Sequence, residues 1–140
     1  MSAENVNFVK SMYEALERGE VPAVIDMMWP DLCWTPAEHS PYDTGRVFKG
    51  PDDIVHNVLV PVATEWEGFR IKTERFLDAG DTVIMEGRFS GTYKATGRTT
   101  NAQVVQIWEV REGKLAAFRQ YTDTAELREV LGKTAGSPIF

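Results

Sequence analysis

Residues 104–127, VVQIWEVREGKLAAFRQYTDTAEL, decide how the rest of the chain is read. Apolar and polar residues alternate up to Arg111, Glu112-Gly113 supplies a tight turn, a second alternating run returns to Tyr121, and Asp123 opens a helix. Two glutamines, Gln106 and Gln120, interrupt the apolar positions, and the turn type decides whether they share a face. If Glu112-Gly113 is a two-residue loop, Arg111 pairs with Lys114, Gln106 falls opposite Arg119, and Gln120 looks the other way. If Arg111-Glu112-Gly113 is a three-residue loop with Gly113 left-handed, Val110 pairs with Lys114. Gln106 then falls opposite Phe118 and Gln120 opposite Val104, all on one face. Glycine as third loop residue favours this second register. A wall of Val104, Gln106, Trp108, Phe118 and Gln120 has the make-up of a small-molecule pocket, apolar with two amides. Ordinary half-exposed sheet glutamines are the plainer alternative.

Asp123 admits two roles. Asp123-Thr-Ala-Glu126 has capping-box spacing, which makes the aspartate a helix cap. A carboxylate at the exit of a pocket-lining strand is also a candidate base or binding group.

Working outward, Val6, Val9, Met12, Tyr13 and Leu16 recur at helical spacing over residues 3–18, and Gly19 stops that helix. A second, shorter helix starts at Pro22 and ends before Pro30, and residues 32–35 read as a short strand. Residues 36–49 read as a loop holding Glu38, His39, Tyr42, Asp43 and Arg46. Gly50-Pro51-Asp52-Asp53 starts a third helix that Pro61 should kink or end. Strands follow at 69–77, 82–94, 98–111 and 114–121. Helices followed by an antiparallel meander make an α+β domain spanning residues 1–132, with 133–140 as a tail.

The chain has 140 residues, 43% hydrophobic and 26% charged, enough for one domain core. A net charge of -6 without a basic run argues against nucleic acid as partner. No apolar run approaches membrane-spanning length and no signal segment opens the chain, so a cytoplasmic protein without a membrane partner is expected. One cysteine excludes an internal disulfide, and with two histidines no metal-ligand spacing appears; neither metal nor cofactor is expected.

The loop HSPYDTGRVFKGPDDI, the strand DTVIMEGRFSGTYKATGR and the ending IWEVREGKLAAFRQYTDTAELREVLG resemble SnoaL-like, ketosteroid-isomerase-related proteins of the nuclear-transport-factor-2-like superfamily, over residues 5–132. The resemblance implies a cone-shaped, strongly curved sheet wrapped around N-terminal helices, with a pocket on its concave face. It also implies a homodimer through the outer sheet face. The fold hosts isomerases, cyclases, epoxide hydrolases and non-catalytic binding modules, so it speaks to architecture more than to reaction. For an enzyme acting on a small hydrophobic carbonyl compound, the resemblance points to Glu38, just past the first strand, as the proton-transfer group, and its loop neighbour His39 and the strand-exit Asp123 are the other candidates. Tyr13, Trp34, Tyr42 and Trp66 would join the sheet wall in binding. Relatives often carry histidine or an acid where Gln106 and Gln120 stand, and amides do not titrate near neutrality. A binding module oriented by those amides is the alternative to an isomerase or cyclase.

Overall fold

The computed structural model describes residues 2–42 and 45–132. Asp43, one of the loop acids, and the tail 133–140 lie outside the described residues. The elements run α1 (Ser2–Glu17), α2 (Val21–Asp26), β1 (Met28–Thr35), β2 (Phe48–Lys49), α3 (Gly50–Ile54), a π-helical turn (Val55–Leu59), α4 (Val60–Glu65), β3 (Trp66–Ala79), β4 (Thr82–Tyr93), β5 (Thr99–Arg111), β6 (Lys114–Thr122) and α5 (Thr124–Val130). One six-stranded sheet has the order β2-β1-β6-β5-β4-β3, antiparallel except where β1 lies parallel to β6. The α+β order expected from helices preceding a meander is thus found, with a mixed edge.

Strict alternation makes β5 the spine. Thr100, Ala102, Val104, Gln106, Trp108 and Val110 are all buried, on the face that carries the core, while Asn101, Gln103 and Glu109 are exposed. β4 answers with Val83, Met85, Gly87 and Phe89 on the same face. Helix α1 crosses this face with Val9, Met12, Tyr13 and Ala15 turned inward.

Both registers offered for the hairpin need correcting. Glu112 and Gly113 have φ of 50° and 74°, the two left-handed residues of a two-residue turn, and Arg111 pairs with Lys114. The ladder then slips. Val110 pairs with Leu115 but Glu109 pairs with Ala117, so Ala116 is an extra residue in β6. Beyond this bulge Gln106 lies directly opposite Gln120, and Trp108 opposite Phe118. The glutamines share a face through a bulge, not through a three-residue loop.

Three boundaries also differ from the expectation. β1 begins at Met28 and runs through Pro30, where its pairing to β6 is interrupted between Met28 and Cys33, a place where a missing N–H costs no ladder bond. Phe48–Lys49, expected in a loop, pairs with β1. Pro61 does not end the helical segment, but the regular coil is interrupted just before it. The Val60 N–H bonds to the Val55 carbonyl across a π-helical turn, a widened coil that precedes the ring, and α4 continues to Glu65.

Curvature comes from β3 riding closely over two glycines. A Cβ at Gly87 would lie 2.1 Å from the Lys72 carbonyl oxygen, and one at Gly91 3.0 Å from the Phe69 Cα. The β3–β4 register shifts at two places near them, between Glu67 and Arg70 and between Thr73 and Arg75. Bulges over glycine bend the sheet around α1 and leave space between sheet and helices.

Candidate functional site

That space is a cavity of about 610 Å³, bounded by α1, the 50–65 helical segment, the loop after β1, and the inner faces of β3, β5 and β6. Its walls are mostly apolar: Met12, Leu16, Val58, Leu59, Val62, Phe69 and Ile71 close the sides. Trp34 stacks on Phe118 with ring centres 3.7 Å apart and meets Trp108 edge-on at 5.8 Å, which fixes the aromatic floor.

Inside this apolar shell runs a hydrogen-bonded relay. The Trp108 indole Nε1–H donates to the Tyr13 hydroxyl at 2.8 Å, and that hydroxyl donates to Gln106 Oε1 at 2.5 Å. Gln106 Nε2 donates to Gln120 Oε1 at 2.7 Å. Burial pushes the Tyr13 phenol far above its ordinary value, against a smaller lowering by the Trp108 bond, so it stays neutral and keeps its proton. A second hydrogen-bonded group reaches the cavity through Tyr42 and Trp66. Trp66 Nε1 donates to the Tyr42 hydroxyl at 2.8 Å, and Tyr42 donates to Glu65 Oε1 at 2.8 Å. Burial, countered by the Trp66 bond and reinforced by the Glu65 carboxylate, raises the half-buried Tyr42 phenol as well. Glu17 and Arg70 line the cavity at its rim and pair at 2.7 Å, both side chains well exposed.

Of the nine residues proposed to bind a ligand, the structure brings seven to the cavity wall: Tyr13, Trp34, Tyr42, Trp66, Gln106, Trp108 and Gln120. Val104 and Phe118 lie behind it in the core, each 2% exposed. The three proton-transfer candidates are placed elsewhere. Glu38 and His39 are exposed on the loop after β1, with His39 in a left-handed turn conformation, and neither lines the cavity. Asp123 is also exposed; its Oδ1 accepts the Glu126 N–H at 3.1 Å as the cap of α5. The box is only half closed, because Glu126 instead accepts from the Asn101 N–H at 2.8 Å and from Thr100 at 3.2 Å, serving the start of β5. Glu65 was not anticipated from sequence. Its one signal is its position, at the helix end immediately before Trp66. Among the described residues no cluster of histidine, cysteine or acid side chains could hold a metal, and no helix is long and apolar enough to cross a membrane.

A curved, open sheet closed on one side by helices over an apolar cavity defines an α+β cone domain. The chain belongs to the SnoaL-like domain family, whose model matches residues 9–118. An NTF2-like protein from Burkholderia thailandensis is 34% identical and superposes with a TM-score of 0.85, over 90% of this chain and 95% of that one. TerC, crystallised with polyporic acid, is 24% identical with a TM-score of 0.80, over 92% and 98%. A protein with a ketosteroid isomerase-like fold from Catenulispora acidiphila, in complex with trimethylamine, is 17% identical with a TM-score of 0.71, over 94% of each chain. The last two likenesses speak to the fold alone. No curated protein matches the chain.

Proposed function

We propose that the protein binds a compact, largely apolar small molecule in the cone cavity and orients it by hydrogen bonds from neutral groups. The observation that carries this reading is the character of the polar lining. Where the sheet wall meets α1 the polar groups are two amides and a phenol held in its protonated form, while the rim pair, Glu17 and Arg70, is joined in an ion pair. An apolar enclosure of this volume with few, fixed polar groups suits one small ligand.

Acid–base turnover of the isomerase or cyclase type is the second reading, and one observation favours it. The Tyr42 hydroxyl lies at the cavity wall on the Glu65 carboxylate, a pair able to hold and pass a proton. Glu38, His39 and Asp123 line no part of the cavity, so an enzyme built on this site would work through Tyr42 at the wall, with Glu65 behind it as the acceptor of its proton. Glu65→Gln and Tyr42→Phe would then abolish turnover of a bound carbonyl compound while sparing its binding. Equal turnover in both variants removes the enzymatic reading.

Binding is tested by equilibrium dialysis with 2-ethylnaphthalene and 2-acetylnaphthalene as probes. Saturable one-to-one binding is expected, weakened about tenfold or more by Val62→Trp, which fills the cavity from α4. Absence of saturable binding by either probe, in folded protein, sinks the reading.

A further inference from the structure

The relay has a direction, and the direction selects the ligand. An indole N–H donates and cannot accept, so Tyr13 must receive from Trp108 and point its own proton elsewhere. The Tyr13 hydroxyl is buried, and Gln106 Oε1 is the acceptor within its reach. Turning the Gln106 amide over would place an N–H against the phenol oxygen and strand the phenol proton in the protein interior, which is unfavourable. Gln106 therefore presents its oxygen to Tyr13 and its Nε2 to Gln120. Gln120 must answer with Oε1, which leaves its own Nε2 as the end of the chain.

That nitrogen has no hydrogen-bond partner among the described residues, yet it is not among the buried orphaned atoms. Gln120 lines the cavity on the same face as Gln106, so its unpartnered N–H groups are what its amide has to offer a ligand there. Three links back, donor-only Trp108 dictates that the site offers a donor there, not an acceptor.

We propose that Gln120 Nε2 is the specificity-determining contact and that the ligand meets it with a neutral carbonyl oxygen, as in a ketone, ester or quinone. Neutral is required because the cationic lining residue, Arg70, is at the rim and paired with Glu17, leaving nothing to balance a buried carboxylate. Gln106 and Tyr13 act as positioning residues: the Tyr13 proton, the Gln106 oxygen and one Gln106 N–H are committed within the relay. The Tyr13 proton in particular is committed to Gln106 and does not meet the ligand.

This inference rests on the ligand-binding reading above, and the test separates the two. Gln120→Met keeps the length of the side chain and removes the donor. Its binding of 2-acetylnaphthalene should fall roughly tenfold, while 2-ethylnaphthalene, of nearly the same shape, should change by less than about threefold. Equal losses for both probes overturn the proposal and leave the cavity reading standing; binding of neither probe by the wild-type protein overturns both. The wild-type protein supplies an independent readout should the variant fold poorly. The carbonyl stretch of bound 2-acetylnaphthalene should form one band displaced to lower wavenumber than in an alkane solvent, as a hydrogen-bonded carbonyl does. A band at the alkane position means that no donor reaches the oxygen and overturns the assignment.

Discussion

At the scale of single residues, the site is a problem in satisfying buried polar atoms. Tyr13, Gln106 and Trp108 are 7%, 4% and 2% exposed, so each polar atom needs a partner or costs free energy. That requirement was half visible in the sequence. Two glutamines on apolar strand faces signalled a polar feature in the wall, but the partner that joins them to α1 is Tyr13, 93 residues away, and no local pattern predicts such a contact. The proton-transfer candidates go the other way: the sequence places Glu38 and His39 just after β1, and the loop leaves both exposed. The buried phenol yields a pH prediction. Tyr13 has a folded pKa raised above its unfolded value of about 10, so its contribution to stability is complete below that pH and is lost as pH rises toward the folded value. Above pH 10 the wild type should lose stability more steeply than Tyr13→Phe, by up to about 1.4 kcal/mol per pH unit. Urea midpoints of both proteins between pH 8 and 11 measure this; parallel curves would mean that Tyr13 ionises freely in the native state.

At the scale of elements, the hairpin shows what strand patterns do and do not disclose. Both strands, the place of their turn and the helix after them are legible because alternation, Glu112-Gly113 and Asp123 each carry a local signal, but the turn has two residues and not the three that the glycine favoured. The bulge was not read, although its reason lies in residues 115–118. Leu115 and Phe118 are an odd number apart and cannot share a face under strict alternation, yet each belongs in the core; they are 0% and 2% exposed. Inserting Ala116 as an unpaired residue admits both and brings Gln120 opposite Gln106. At Pro61 the π-helical turn before the ring accommodates what a regular helix excludes, so the segment continues to Glu65. The Asp123 half of the α5 cap behaves as its sequence suggests. Asp123→Ala removes the acceptor of the Glu126 N–H and should cost about 1 kcal/mol in denaturant unfolding. Probe binding should be unchanged, since Asp123 lines no part of the cavity. A loss of binding larger than the loss of stability explains would restore Asp123 as a site residue.

At the scale of the molecule, one sheet face is covered by helices and the other carries a row of side chains with apolar members. On that outer face Ile84 pairs with Ile107 and Val105 with Tyr121, and Tyr121 is 55% exposed. The Arg75–Glu86 ion pair borders the row. We propose that a second copy of the chain packs here, as the family resemblance implies, and that Ile107→Glu converts a dimer to a monomer in light scattering. An unchanged mass for that variant, or a monomeric wild type, rejects it. The curvature that makes the cavity depends on a position where sequence alone gave no warning. Gly87 stands in mid-strand, where glycine is usually a weakness, but a Cβ there would meet the Lys72 carbonyl at 2.1 Å and the Met85 sulfur at 2.9 Å. The sulfur can swing aside; the backbone oxygen moves only if β3 lifts off β4. Gly87→Ala should therefore cost about 3 kcal/mol or more and lower the melting temperature by roughly 10 °C. Because β3 also supplies Phe69, Arg70 and Ile71 to the cavity, probe binding should weaken in the same variant while still native at low temperature. A variant with wild-type stability and binding would mean that the close approach of β3 is incidental to the cone.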